Sequence, residues 1–135
     1  MSTIFPGKKV RKDPVPVLSS IAKKSAPIIA LPAEMRFLKP EHTLLNYPNK
    51  ITKKDFNGWI QERGLYFASD LDKTHYETIF SGNDTDESLK EGSVLYAQYG
   101  KGYYIYTGLS FFRELPAGVT GAYRLFANMI SVGKK

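Results

Sequence analysis

The chain contains no cysteine, which excludes disulfide bonds, thiolate metal sites and cysteine nucleophiles. Histidine is also scarce, since His42 and His75 are the only two. No apolar run approaches the roughly 20 residues of a membrane span, and no apolar segment follows the basic N-terminus as a secretory signal would require. The sequence as written therefore predicts a cytoplasmic protein with no membrane segment.

Most of the net charge of +6 lies at the N-terminal end of the chain, because acidic residues are sparse there. Residues 1–24 carry six basic side chains and one acid, whereas the other 111 residues carry 13 basic and 12 acidic ones. The folded part should therefore be nearly neutral. This argues against a nucleic-acid interface, although the basic arm can add weak attraction to a polyanion.

Prolines divide the chain into two regions. Five of the eight prolines lie within residues 1–33, where they block long helices and central strands. We predict an extended or disordered, Pro-rich basic arm over residues 1–33 and one α+β unit over residues 34–135. The sheet of that unit should be mixed and mostly antiparallel, with an amphipathic helix at the C-terminus.

A hairpin is the clearest structural signal. Residues 93–99 and 103–107 alternate apolar and aromatic side chains on both faces, and Gly100-Lys101-Gly102 predicts a three-residue loop between them. Strands that are apolar on both faces are typical of a sheet covered on both sides. We therefore expect this hairpin in the interior of a layered structure.

Other segments predict shorter elements. Strands are expected at 35–38, 64–68 and 76–80, a turn-rich connection at 41–48, and an exposed loop at 82–88. Thr52 and Asp55 resemble a capping box before a short helix. A final helix should start at Pro116 and end at Gly133. Its first apolar stripe consists of Val119, Ala122, Tyr123, Phe126, Ala127 and Ile130. Its second apolar stripe consists of Leu125, Met129 and Val132.

Four patterns that could carry chemistry have simpler structural explanations. Asp70, Asp72 and His75 could bind a divalent cation, but their spacing favours a solvated turn. Residues 83–87 lack the glycine and distal glutamate of a calcium loop, and the Gly-Lys-Gly loop joins two strands, whereas phosphate loops lead into a helix. His42 has no partner in a recognisable catalytic arrangement, which favours local packing or hydrogen bonding. We predict no catalytic residue, no metal ligand and no cofactor.

Arginine beside aromatic residues gives the remaining binding candidates. Arg63 is close in sequence to Trp59 and Tyr66, and Arg113 follows Phe111 and Phe112. Arginine over aromatic surface is typical of binding patches, although a guanidinium bound to loop carbonyls is the commoner arrangement. Arg63, Tyr66 and Arg113 are the candidate binding residues.

A series of ordered motifs carries a family resemblance. They are Pro40-Glu41-His42, Leu44-Leu45-Asn46, Pro48-Asn49-Lys50-Ile51-Thr52, Gln61-Glu62-Arg63-Gly64-Leu65-Tyr66-Phe67, Tyr99-Gly100-Lys101-Gly102, Tyr106-Thr107-Gly108-Leu109, Phe111-Phe112-Arg113 and Leu115-Pro116-Ala117-Gly118-Val119. With Gly121–Asn128, they resemble the C-terminal region of bacterial PIG-L (LmbE-like) deacetylase proteins. The resemblance implies the second half of a class I glutamine amidotransferase-like, flavodoxin-like domain over residues 34–135.

The resemblance brings no catalytic residue with it. The chain lacks the His-Pro-Asp-Asp type motif of the zinc-dependent deacetylase module and the nucleophilic cysteine of glutamine amidotransferases. It therefore implies a non-catalytic accessory or binding segment, with a protein partner or self-association through exposed apolar sheet and helix faces. The alternative is that the chain forms part of a zinc-dependent N-acetyl sugar deacetylase, whose full-length relatives are in some cases exported.

Overall fold

A computed structural model describes residues 35–60, 67–82 and 88–134 of the chain. The strands are β1 (Arg36–Phe37), β2 (Glu77–Thr78), β3 (Phe80–Ser81), β4 (Val94–Tyr99) and β5 (Gly102–Thr107). The helices are α1 (Thr43–Asn46), α2 (Phe111–Glu114) and α3 (Thr120–Ser131), with a 3₁₀ turn at Lys53–Phe56 between α1 and β2. Residues 1–33, for which we predicted an arm, lie outside the described residues.

The described strands form two small antiparallel sheets, one with the order β2-β4-β5 and one pairing β1 with β3. The single strand predicted at 76–80 is divided at Ile79, so that β2 joins one sheet and β3 joins the other. Ile79 is fully buried and its N–H donates to the Val94 carbonyl over 3.2 Å. The predicted combination of antiparallel sheet and C-terminal helix is confirmed.

The predicted hairpin is present, with a tighter loop than expected. Tyr99 pairs directly with Gly102, so the loop has two residues, Gly100 and Lys101, instead of the predicted three. Gly100 has φ +59°, the left-handed conformation that two-residue hairpin loops require at their first position. The second glycine belongs to β5, where it continues the ladder.

The two faces of the hairpin are covered only at its base. Val94 and Leu95 are fully buried, on opposite faces of β4. The tip differs from our prediction of an interior hairpin, because Tyr99 is 57% exposed and Tyr103 is 44% exposed. Among the described strands β5 lies at the edge of its sheet, which leaves its side chains half-buried or exposed.

The main core is rich in aromatic side chains. Phe56 is central, with its ring 5.3 Å from that of Phe80 and 5.4 Å from that of Trp59. Edge-to-face and tilted ring pairs of this kind add to the stabilisation that burial of apolar area provides. A second, smaller cluster on the other face of the hairpin contains Ala68, Tyr76, Leu95 and Ala97.

The segment predicted as a helix after Thr52 forms only one 3₁₀ turn. The Thr52 N–H donates to Asp55 Oδ2 over 2.8 Å, as the capping-box pattern predicted. Gly58, with φ +76°, leads the chain out of the turn. Phe56 is buried, as an amphipathic pattern requires, whereas Ile60 is 45% exposed because the turn ends before reaching it.

Helix α3 begins later than predicted and faces the core differently. It starts at Thr120, because residues 115–118 form turns after α2, and Gly133 follows its end with φ +85°, as expected. The second predicted stripe faces inward, with Leu125 only 1% exposed. The two stripes predicted contacts on two sides of the helix, but of the first stripe only Ala122 is fully buried, whereas Tyr123, Phe126 and Ile130 are exposed.

Two small or polar residues determine that orientation. The Gly121 backbone lies directly against the backbone of Asp55, so close that a Cβ would come within 1.7 Å of the Asp55 carbonyl oxygen. Two turns further along, Asn128 is fully buried. Its Oδ1 accepts from the Asn49 N–H over 2.9 Å, and its Nδ2 donates to the Leu44 and Asn49 carbonyls over 2.8 and 2.7 Å. The face that carries Gly121 and Asn128 must therefore point inward.

The remaining predictions for this part of the chain have mixed outcomes. The strand expected at 64–68 is absent at Phe67 and Ala68, and its other residues lie outside the described ranges. The connection at 41–48 contains α1, whose single turn was not predicted. The loop expected at 82–88 lies mostly outside the described residues.

We predict that Gly121→Ala destabilises the protein by about 1–3 kcal/mol, because the methyl group forces α3 away from the 3₁₀ turn. This is notable because alanine is the better helix former by about 1 kcal/mol. Urea unfolding measures the effect. Gly102→Ala is the matched control, since a Cβ there meets nothing nearer than 3.7 Å. Equal stability of the two variants would contradict the close packing at Gly121.

Candidate functional site

An apolar surface on α3 is the main candidate site in the described part of the chain. Tyr123, Phe126 and Ile130 lie at i, i+3 and i+7 and so share one side of the helix. They are 51%, 40% and 63% exposed. We call these three residues the outer face. Large side chains exposed together in this way are typical of surfaces that bind another molecule.

The outer face is held in place from two sides. The Tyr123 hydroxyl donates to the Leu115 carbonyl over 2.6 Å, which fixes the phenol ring against the turn that follows α2. The Phe126 ring lies 5.8 Å from that of Phe111, whose side chain is buried in the core. Preorganised aromatic side chains lose little conformational freedom on binding.

Helix α2 adds a cation and an aromatic ring beside this surface. Phe112 is 60% exposed, and the Arg113 guanidinium lies 5.3 Å from the centre of its ring. This places the sequence-predicted Arg113 against an aromatic surface, next to the buried Phe111 that contacts the outer face. Arginine and aromatic residues are the types that contribute most often to binding hot spots.

Two segments of the described chain carry an excess of basic side chains. Residues 49–60 and 110–134, which contain the 3₁₀ turn, α2 and α3, carry six basic and two acidic side chains. Both acids are already engaged: Asp55 forms an ion pair with Arg124 at 2.8 Å, and Glu114 is buried. The other described residues carry five basic and five acidic side chains. The net positive charge of the described part thus belongs to these two segments.

Glu114 is a carboxylate with a structural role. It is fully buried, and its two oxygens accept the Ile60 N–H over 3.1 and 2.9 Å. The Ser110 hydroxyl lies 3.3 Å from the first of these oxygens. A buried carboxylate needs such donors to replace the water it has lost. Glu114 therefore joins α2 to the chain that follows the 3₁₀ turn.

His42 is a helix cap. Its Nδ1 accepts a hydrogen bond from the Leu44 N–H over 3.1 Å. Because Nδ1 is the acceptor, the neutral ring carries its proton on Nε2. Nε2 lies 4.0 Å from Glu77, and the ring packs edge-on against Tyr96 with 4.5 Å between centroids. Burial is the main cause that lowers the pKa of His42, with Lys39 contributing and Glu77 opposing. The predicted role in local hydrogen bonding at the turn is confirmed.

Asp72 closes a turn, as the spacing of the acidic segment predicted. Its Oδ1 accepts the Thr74 N–H over 3.0 Å, and it also bonds the Thr74 hydroxyl and the His75 ring. These hydrogen bonds, the Thr74 hydroxyl first, lower the pKa of Asp72 to about 2. Asp70 precedes it with φ +53°. Residues 83–87, which lack the full pattern of a calcium loop, lie outside the described residues.

An open cleft of about 450 Å³ lies between residues 67–73 and 88–91. Leu71 and Leu89 form part of its wall, and the Ser69 hydroxyl is buried there without a hydrogen-bond partner. Lys73 and Glu91 pair across it at 2.5 Å. Because the charged residues in its lining are balanced in sign, the cleft has no evident preference for a charged ligand.

Of the three binding candidates from the sequence, Arg63 and Tyr66 lie outside the described residues, and Arg113 lies in α2 over the ring of Phe112. Sequence reasoning predicted exposed apolar helix faces but did not identify Tyr123, Phe126 and Ile130 as the exposed residues. The signal for the outer face was the second apolar stripe of the final helix, because a helix with two stripes on a small unit cannot bury both. Which stripe faces outward depends on contacts that the sequence does not display.

Comparisons with protein families, with curated proteins and with solved structures found no match for this chain. Within residues 35–60, 67–82 and 88–134, no helix has both the length and the apolar character needed to cross a membrane.

We predict that acidification destabilises the protein through His42. The folded chain holds the pKa of His42 below its value of 6.5 in an unfolded chain, so the unfolded state binds the proton first as pH falls. The free energy of unfolding should therefore decrease as pH falls below about 6.5 and level off below the folded-state pKa. Urea unfolding at pH 7.5 and at pH 5 measures this.

His42→Asn is the matched control, because asparagine also caps helices but does not titrate. The difference in stability between the two proteins should change between the two pH values, in favour of the variant at low pH. A difference that is the same at both pH values would contradict a lowered pKa for His42.

Proposed function

We propose that residues 34–135 are a non-catalytic binding segment related to the C-terminal region of PIG-L-type deacetylases. The observation that carries the proposal is the outer face of α3, where Tyr123, Phe126 and Ile130 are exposed together on a helix whose opposite side is firmly packed. The ordered motifs of the sequence support the relationship. A glutamine amidotransferase-like half-domain remains part of this proposal.

The polar groups support a binding role over a catalytic one. His42 Nδ1 is occupied by a backbone amide, and Glu114 is buried against the Ile60 N–H. Asp55 caps the 3₁₀ turn and pairs with Arg124, and Asp72 closes its own turn. Each of these groups serves the fold, whereas the three large side chains of the outer face remain 40–63% exposed in the described part of the chain.

The location of the outer face also suits a segment of a larger assembly. It contacts Phe111 of α2, and the hairpin tip lies at the far end of α3. There the Tyr103 ring lies against Gly133, at a distance that leaves no room for a Cβ. A partner on α3 could therefore contact the half-exposed hairpin tip as well.

We predict that the purified chain binds a hydrophobic dye such as ANS and that Phe126→Glu with Ile130→Glu reduces the dye fluorescence by about half or more, because the variant removes the apolar surface. Leu89→Glu is the control, since Leu89 is equally exposed but lies in the cleft away from α3. Circular dichroism and urea midpoints check that all variants fold.

Two results would contradict the proposal. One is a monodisperse monomer by light scattering that binds no dye. The other is stoichiometric zinc together with deacetylation of an N-acetyl sugar by the purified chain, which would support the enzyme alternative.

A further inference from the structure

We propose that strand β5 pairs with the β5 strand of a second copy of this chain, so that the β2-β4-β5 sheets of the two copies join into one antiparallel sheet. This surface is the open edge of β5, not the outer face of α3, and the inference goes beyond the proposed function. Three features carry it: backbone groups that point away from β4, a strand without charged side chains, and a side-chain order that is nearly the same in both directions.

The hydrogen-bond pattern of the hairpin determines which backbone groups point away from β4. At the base of the hairpin the Gly108 N–H donates to the Ser93 carbonyl over 2.8 Å. Because hydrogen-bonded pairs recur at every second residue of an antiparallel ladder, the even-numbered residues of β5 bond to β4. The N–H and C=O groups of the odd-numbered residues, Tyr103, Ile105 and Thr107, therefore point to the opposite side.

That side of β5 is an unprotected sheet edge. Within residues 35–60, 67–82 and 88–134, β5 has only β4 as a neighbouring strand, and no backbone hydrogen bond beyond the β4 ladder engages Tyr103, Ile105 or Thr107. Proteins ordinarily protect an open edge with lysine, proline, a bulge or a very short strand. Strand β5 has six residues in continuous register with β4, and none of them is charged or proline. Such an edge is a template for another strand.

The order of the side chains favours a second copy as that strand. In a two-fold pairing centred on Ile105, Tyr103 lies opposite Thr107 of the second copy, and all three outward-facing residues form hydrogen-bonded pairs. A shift of two residues in either direction would leave only two such pairs. The centred register also places Tyr104 opposite Tyr106 of the second copy, twice by symmetry, and aromatic cross-strand pairs stabilise antiparallel sheets.

Charge does not oppose this pairing. The charged residue nearest to β5 in sequence is Lys101, in the hairpin loop, and the centred register places it opposite Leu109 of the second copy. The two copies of Lys101 then lie at opposite ends of the ladder, so the repulsion between like charges is avoided. The ladder involves six residues on each side, fewer than the roughly 20–30 of a standard interface. We therefore expect a weak dimer that depends on protein concentration.

The first test measures self-association of the full chain by analytical ultracentrifugation, from about 2 to 200 μM. A monomer–dimer equilibrium is expected. Tyr103→Pro should raise the dimer Kd about tenfold or more, because proline removes an N–H that faces the second copy and none that bonds to β4. Tyr103→Ala is the matched control, since it removes the same ring but keeps the N–H, and its Kd should stay within about threefold of that of the unmodified chain. Circular dichroism checks that both variants fold.

The second test measures the register, using the absence of cysteine from the chain. A Tyr104→Cys chain is mixed with a Tyr106→Cys chain. In the mixed dimer the two thiols lie on directly opposed residues, with Cα atoms about 4.5 Å apart. Cysteines at the same position of both copies lie diagonally, about 7–8 Å apart, which is too far for an unstrained disulfide. After oxidation by oxidised glutathione, peptide mass spectrometry should find the mixed disulfide about fivefold or more in excess of each symmetric one.

Four results would overturn the inference. They are a monomer at every concentration, equal Kd values for Tyr103→Pro and Tyr103→Ala, mixed disulfides no more frequent than symmetric ones, and a dimer that Ile130→Glu dissociates but Tyr103→Pro does not. The dye experiment judges the proposed function separately. A monomer that binds the dye through the outer face would refute the dimer alone. A β5 dimer whose dye binding is insensitive to the outer face would refute the proposed binding function alone.

Discussion

The contact between the inner side of α3 and the chain from Leu44 to Asp55 fixes the orientation of α3 and, with it, which side chains the helix exposes. At one end Gly121 lets the helix backbone meet the backbone of Asp55, and at the other Asn128 bonds to Leu44 and Asn49. A buried amide that lost these partners would cost about 1–3 kcal/mol for each unsatisfied group. The rotation of α3 about its axis is therefore fixed by steric and polar constraints more than by the amount of apolar area buried.

This constraint has a consequence for function. When Gly121 and Asn128 face inward, Leu125 packs in the core. Tyr123, Phe126 and Ile130 then face outward, because they lie on the opposite side of the helix. If the buried apolar area alone decided the orientation of α3, the outward stripe would face the core, because its side chains are larger than those of the inward stripe. A helix that exposes its larger apolar side chains is explained more simply by a binding surface than by folding alone.

Sequence reasoning reached the elements whose signals are local. The β4–β5 hairpin, the capping interaction of Thr52 with Asp55, the end of α3 at Gly133 and the turn at Asp72 depend on residues that are near each other in the chain. It failed where distant contacts decide. Ile79 divides a predicted strand because β3 pairs with β1, 43 to 45 residues away in the chain, and the buried side of α3 depends on Leu44 and Asn49. The polar Asn128 gave no apolar signal, so the periodicity could not show which of the two stripes faces the core.

The absence of cysteine allows a direct test of the orientation of α3. Single cysteines can be placed at Ile130 and Tyr123 on the outer face and at Leu125 and Ala122 on the inner face, each as the only thiol in the chain. Reaction with a maleimide under native conditions should be fast at the two outer positions and slower by about a hundredfold or more at the two inner ones, which react only when the structure opens. Equal rates at Leu125 and Ile130, in variants that remain folded, would contradict the packing of α3 and with it the binding surface.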